Sequence, residues 1–143
     1  MTRTNIEIIK DKLLLLNGYL EELKEIKDLK YYEYMDETIT RRGAERLLQL
    51  LVEVSSDINS AIISNVGKIP PESYYESFIK AGEYGVISKE LAQKLAPSAG
   101  LRNRIIHEYG EYKDSIVYKN VKKLYELYSQ YLIDVNNYLH KHK

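Results

Sequence analysis

Several residue types that support particular chemistries are missing from this chain. None of its 143 residues is a cysteine, which excludes disulfides, thiolate metal sites, iron–sulfur clusters and cysteine nucleophiles. Tryptophan is absent as well, and one phenylalanine stands beside 14 tyrosines, so almost every aromatic ring carries a hydroxyl group. Because a lack of cysteine is typical of a reducing compartment, we expect a cytoplasmic protein.

The chain also lacks an excess of charge of one sign. Lysine plus arginine and aspartate plus glutamate each total 21, so composition alone does not predict a nucleic-acid binder and any such contact must be local. No run approaches the ~20 apolar residues that span a bilayer. Residues 1–12 mix apolar and charged side chains, unlike a signal peptide. We therefore expect no membrane contact and no DNA partner.

Sequence motifs for bound cofactors are missing too. The chain contains neither the GxGxxG nor the GxxxxGK[ST] phosphate-binding pattern, and no HExxH zinc pattern. Two histidines near the end, His140 and His142, have no carboxylates beside them and are typical of a solvated terminus. We therefore expect no cofactor and no metal site.

Helical periodicity is the dominant pattern that is present. Apolar residues recur three and four positions apart and nowhere alternate over the length of a strand. This spacing predicts long helices over residues 4–27, 36–65 and 116–140, shorter ones over 72–81 and 88–96, and a short helical or turn segment over 101–107. A chain of this length suits one domain. We expect a single all-α domain over residues 1–143, an antiparallel bundle of three long helices plus two or three short ones.

The first and last long helices carry more apolar surface than one neighbour can bury. Their apolar positions form wide stripes, and in the last helix they cover more than half of the circumference. The tyrosines of that helix are more typical of core and interface positions than of base stacking. The excess surface predicts a symmetric homodimer formed through these two helices.

One stretch concentrates polar residues beside a chain break, the segment RNRIIHEY at 102–109. An imidazole accepts a proton near neutral pH, and a guanidinium binds a phosphoryl group through two parallel hydrogen bonds. These two groups suffice for RNA cleavage, because the 2′-hydroxyl of RNA is a built-in nucleophile. The alternative from residue chemistry alone is that Arg102 and His107 cap a helix end or bind water.

Helix geometry limits how Arg102 and His107 can cooperate. Five residues apart, they would lie about 140° from each other around one ideal helix, whereas Arg102 and Tyr109 would share a face. The groups can meet if Gly110 unwinds the last turn, or if a second copy of the segment faces the first in a symmetric dimer.

A second basic group offers two interpretations. Arg41, Arg42 and Arg46, together with Lys68, form a candidate patch for an RNA backbone. Ion pairs at the surface with the neighbouring Glu45 are at least as well supported by the sequence. Both interpretations remain open at the level of sequence.

The segment at 102–109 resembles the RNx3HxY signature of HEPN proteins, specifically of the HepT-like toxins. The arginine, the polar residue after it, the histidine and the tyrosine two positions beyond are all present. The similarity continues through residues 70–110 and into the long helices on both sides, so it covers nearly the whole chain.

This resemblance implies a homodimeric, metal-independent endoribonuclease toxin that needs no cofactor and is paired with a minimal nucleotidyltransferase antitoxin. It implies Arg102 and His107 as the catalytic pair, Asn103 as a supporting residue, and Tyr109 as the position to which the antitoxin transfers AMP. Arg104 and Arg46 are candidate contacts to the RNA backbone. The alternative is a non-catalytic HEPN helical module that binds and regulates its nucleotidyltransferase partner.

Overall fold

The computed structural model describes residues 3–108 and 110–142, and within them all regular secondary structure is α-helical. Three long helices and four shorter ones follow one another in this order: α1 (Arg3–Lys24), α2 (Tyr31–Asp36), α3 (Thr38–Asn65), α4 (Tyr74–Glu83), α5 (Lys89–Leu95), α6 (Pro97–His107) and α7 (Glu111–Lys141). The predicted all-α bundle with three long helices is confirmed.

The long helices α1, α3 and α7 form the body of the bundle. Helix α1 runs antiparallel to α3, since Asn5 near the start of α1 donates a 2.8 Å hydrogen bond to Asn65 at the end of α3. Helices α3 and α7 run in the same direction, since Arg42 and Asp114 join their beginnings. The intervening helices α4 to α6 return the chain to the end of the bundle at which α3 began.

The core combines aliphatic side chains with buried tyrosines. The Tyr131 hydroxyl lies 2.6 Å from Asn59 Oδ1, and the Tyr128 hydroxyl lies 2.7 Å from Ser98 Oγ. Burial raises the pKa of both phenols, so each remains a neutral hydrogen-bonding group inside the bundle. The prediction that tyrosines of the last helix belong to the core is confirmed at these two positions.

Helix α3 is the most deeply packed of the long helices. Its length and composition would let it cross a membrane, but 61% of its most apolar 18-residue window is buried inside the bundle. Its apolar side chains therefore have protein partners, as in a core helix of a bundle.

The connection predicted to hold Tyr31, Tyr32 and Tyr34 contains an additional short helix, α2. Tyr34 is fully buried, and its ring centroid lies 5.2 Å from that of Tyr118 on α7. This tertiary contact holds α2 against the bundle, and short-range periodicity in the sequence does not report it. The second long helix begins at Thr38 rather than near residue 36.

Two other helices begin earlier than their sequence patterns predict. Helix α6 begins at Pro97 rather than at residue 101, because a proline in the first turn needs no hydrogen-bonded N–H and has its φ already fixed. Helix α7 begins at Glu111 rather than at residue 116. Its polar first turn is held by ion pairs from Asp114 to Arg41 and Arg42 on α3.

Helices α4 and α5 approach each other at Gly82, which generates a stability prediction. A Cβ added at Gly82 would lie 2.6 Å from the Ala92 Cβ, closer than packed carbon atoms allow. Gly82→Ala should therefore lower the free energy of unfolding by about 1 to 3 kcal/mol, measured by denaturant titration.

Gly43→Ala is the matched control. Gly43 lies inside α3 with nothing within 4 Å of its added Cβ, so alanine should raise the free energy of unfolding by about 0.5 to 1 kcal/mol. If Gly82→Ala proves as stable as Gly43→Ala, the close approach of α4 and α5 is wrong.

Candidate active site

Helix α6 carries the segment that the sequence singles out, and it is fixed against the core. Ile105 is buried on its inner face, and Ser98 in its first turn is joined to Tyr128 of α7 by a buried 2.7 Å hydrogen bond. These contacts leave Asn103, Arg104 and His107 exposed on the outer surface. The position of α6 is therefore set by packing and by a buried hydrogen bond, independently of its exposed polar residues.

Arg102 is oriented by three neighbours. Its Nε and Nη2 atoms lie 3.1 and 3.0 Å from Glu53 Oε2 on α3, and its Nη1 lies 3.3 Å from Asn103 Oδ1. The guanidinium carbon lies 4.8 Å from the centre of the Tyr74 ring on α4, within the range of a cation–π contact. Arg102 thus has a defined position between α3, α4 and α6.

His107 is the last residue of α6 and is exposed. Helix α6 is continuous from Pro97 to His107, so the angle of about 140° between Arg102 and His107 applies. Within the described residues no hydrogen bond or ion pair engages the imidazole. The two side chains leave α6 in different directions, and the imidazole is accessible to an external partner.

Helix α6 ends at His107, and a short turn that includes Gly110 leads to α7. Glu108 has an extended backbone. Gly110 has φ 89° and ψ −170°, a backbone conformation that residues other than glycine rarely adopt. The turn therefore depends on glycine immediately before α7. Tyr109, the predicted site of AMP transfer, lies outside the described residues.

The two candidate contacts to an RNA backbone have different surroundings. Arg104 Nη2 lies 3.0 Å from the Tyr112 hydroxyl and its Nε lies 3.2 Å from Glu108 Oε1, and these bonds raise the pKa of Arg104. Arg46 on α3 is exposed, and no described residue pairs with it. Arg46 offers a free positive charge, whereas Arg104 would have to exchange partners to bind a phosphate.

A buried ion network fixes the beginning of α7. Asp114, 6% exposed, lies 3.5 Å from Arg41 Nε and 3.3 Å from Arg42 Nη1. Glu45, 7% exposed, pairs with Arg42 and lies 2.5 Å from Lys113 Nζ. The network joins α3 to the first turn of α7, so both ends of the turn after His107 are anchored.

This network decides between the two interpretations of the second basic group. Arg41 and Arg42 belong to ion pairs with Asp114 and Glu45. Lys68 lies 5.9 Å from the centre of the Tyr84 ring instead of beside the arginines. The candidate patch is therefore not one surface, and among the described residues Arg46 is the arginine of the group that has no ion pair.

Sequence reasoning missed the two residues that contact Arg102 from other helices, Glu53 and Tyr74. The spacing of Arg46, Gln49 and Glu53 by three and four residues places them on one face of α3. That pattern identifies the shared face, but only tertiary packing reveals that this face meets α6.

A comparison with protein families identifies a strong match. Residues 16–135 match the family described as "Ribonuclease HepT-like". A relative from Aphanizomenon flos-aquae, named "tRNA nuclease HepT", is 36% identical over 138 residues, which is 95% of this chain and 94% of the relative.

Solved structures share the fold at lower sequence identity. A tri-AMPylated HEPN toxin of Shewanella oneidensis, solved in complex with its MNT antitoxin, superposes with a TM-score of 0.80 at 21% identity and covers 96% of this chain and 99% of its own. A cytosolic protein of unknown function from Bacillus subtilis, YutE, superposes with a TM-score of 0.74 at 16% identity, covering 93% of this chain and 92% of its own.

Proposed function

The chain belongs to the HepT-like ribonuclease family, and from this premise we propose that it is the toxin of a toxin–antitoxin pair, a metal-independent endoribonuclease. The observation that carries the proposal is the 36% identity, along almost the full length of both chains, to a protein named as a tRNA nuclease. The name of that relative makes tRNA the first substrate to test. A cytoplasmic location is consistent with an RNA substrate and with the absence of cysteine.

In the proposed reaction, His107 accepts the proton of an RNA 2′-hydroxyl. The 2′-oxygen then bonds to the adjacent phosphorus, the bond to the 5′-oxygen breaks, and the leaving 5′-oxygen takes up a proton from water, to which the imidazolium later returns its own. Arg102 binds the phosphate and stabilises the charge that develops on it. Asn103, whose Oδ1 lies 3.3 Å from Arg102 Nη1, helps to orient the guanidinium. Because His107 supplies the base and Arg102 supplies the positive charge, the scheme requires no metal.

The complete site is proposed to form in a symmetric homodimer. Since α6 points Arg102 and His107 about 140° apart, Arg102 of one copy acts with His107 of a second copy. Exposed apolar side chains on the first and last long helices support an interface there. Their exposed fractions are 70% for Leu14, 50% for Leu15 and 53% for Ile133, and burial of such side chains against a second copy is favourable.

The proposed partner is a minimal nucleotidyltransferase antitoxin that transfers AMP to Tyr109. Support comes from the family motif, in which Tyr109 stands two residues after His107. The added phosphodiester carries a negative charge, and within ~4 Å of a guanidinium its attraction is about 4 kcal/mol before desolvation, at an effective dielectric constant near ~20. Such a group would compete with an RNA phosphate for Arg102, and its nucleoside would obstruct the site.

Removal of either member of the catalytic pair should abolish cleavage. Arg102→Ala and His107→Ala should each lower tRNA cleavage in EDTA by at least ~100-fold, because each removes a group that acts in the transition state. Wild-type products should carry a 2′,3′-cyclic phosphate and a 5′-hydroxyl, identified by mass spectrometry. The thermal midpoint of His107→Ala should change little, because the imidazole is exposed and does not fill the core.

His140→Ala is the control, because His140 is an exposed imidazole near the far end of α7. This variant should cleave like the wild type. Unaltered cleavage by His107→Ala would refute its role as the base. Cleavage that disappears in EDTA and returns with magnesium would contradict metal independence, and a pure wild-type protein that binds the antitoxin without cleaving RNA would favour the regulatory module.

Control through Tyr109 generates a second prediction. Incubation of the wild type with the antitoxin, ATP and magnesium should add ~329 Da per AMP unit to the intact mass and abolish cleavage. Tyr109→Phe should retain cleavage, because the phenol takes no part in the reaction, but it should gain no mass and stay active beside the antitoxin.

Tyr112→Phe is the matched control, since Tyr112 is an exposed tyrosine, at 66%, near the same turn. It should be modified and silenced like the wild type. Modification and silencing of Tyr109→Phe would place the acceptor on another tyrosine and refute the assignment.

A further inference from the structure

One oxygen of the Glu53 carboxylate accepts three side-chain hydrogen bonds. Its Oε2 atom accepts from Arg102 Nε at 3.1 Å and Nη2 at 3.0 Å, and also from Gln49 Nε2 at 2.9 Å. The side chains of Arg102 and Glu53 are only 21% and 26% exposed. Gln49, one turn before Glu53 on α3, thus holds the same oxygen that contacts Arg102.

The geometry of these bonds determines which part of the Arg102 guanidinium stays available. A guanidinium has five N–H groups and two edges that can bind an oxyanion with two parallel bonds. Glu53 occupies the side edge, formed by Nε and Nη2, and Asn103 takes one N–H of Nη1. One N–H of Nη1 and one of Nη2 remain, and the remaining N–H of Nη2 belongs to the terminal edge.

One face of the guanidinium is covered as well. The Tyr74 ring lies 4.8 Å from the guanidinium carbon. Rotation of the Arg102 side chain would lose this contact together with both bonds to Glu53. The side edge and one face of the group are therefore fixed by α3 and α4, which pack independently of any substrate.

We propose that Glu53 is a positioning residue for RNA cleavage, which holds Arg102 so that its terminal edge receives the scissile phosphate. This inference rests on the proposed function and assigns a role that the motif at 102–109 does not contain. Glu53 does not contact the RNA. It acts through Arg102, and it also lowers the net positive charge that the RNA meets.

Removal of the Glu53 carboxylate should therefore act differently on RNA affinity and on the rate of the chemical step. Loss of the carboxylate removes a repulsion toward RNA phosphates, so binding should be equal or tighter. Loss of orientation at a reacting centre slows the chemical step, by up to ~100-fold for a displacement of about 1 Å. A residue that only stabilised the fold would produce neither change in correctly folded molecules.

The test is single-turnover cleavage of labelled tRNA with protein in excess. At saturation, the rate constant measured in this way does not depend on the fraction of the protein that is inactive. At saturation, Glu53→Gln, which keeps an acceptor, should cleave about 10-fold more slowly than the wild type, and Glu53→Ala about 100-fold more slowly. The half-saturating protein concentration should not rise. Glu90→Gln is the matched control, since Glu90 pairs with Lys94 at 3.1 Å on the exposed surface of α5, and it should cleave at the wild-type rate.

A double-variant cycle separates positioning from an independent role. Lysine at position 102 keeps the charge but lacks the planar fork, so Glu53→Gln should slow an Arg102→Lys protein by less than about twofold. Two results would overturn the inference: an unchanged rate constant in Glu53→Gln and Glu53→Ala, or a full loss of about 10-fold when Glu53→Gln is added to Arg102→Lys. Cleavage by the wild type in the same experiment would still support the proposed function. Absence of RNA cleavage by the wild type would refute the proposed function and this inference together.

Discussion

The geometry of helix α6 is the constraint on which the candidate site depends. Arg102 and His107 are five residues apart on one continuous helix, and a helix separates such positions by about 140°. Packing of Ile105 and the bond from Ser98 to Tyr128 fix this helix on the core. In the proposed dimer, the base for a phosphate bound at Arg102 therefore comes from a second copy.

Two carboxylates of α3 make ion pairs that position α6 and the beginning of α7. Glu53 accepts from Arg102, while Glu45, with Arg42, belongs to the buried network that anchors the first turn of α7. The turn after His107 is thus held at both ends by packing and ion pairs. Partly buried pairs with several hydrogen bonds define geometry better than exposed single pairs do, because fewer alternative partners compete.

The local sequence pattern predicts the long helices from their wide apolar stripes and singles out residues 102–109 from their polar side chains. It could not predict α2, which depends on packing of Tyr34 against Tyr118. It also could not predict the contact of Glu53 with Arg102, because these residues are 49 positions apart and meet only after α3 and α6 pack. The missed features are therefore those that depend on tertiary contacts.

Complementation between inactive subunits tests the shared site most directly. Arg102→Ala and His107→Ala proteins, each inactive alone, are unfolded together and refolded as a mixture, and tRNA cleavage is measured in EDTA. In a mixed dimer one site receives both an intact Arg102 and an intact His107, so random pairing should restore about a quarter of the wild-type activity. A mixture that stays inactive, although mass spectrometry of the intact complexes detects mixed dimers, would contradict the shared site.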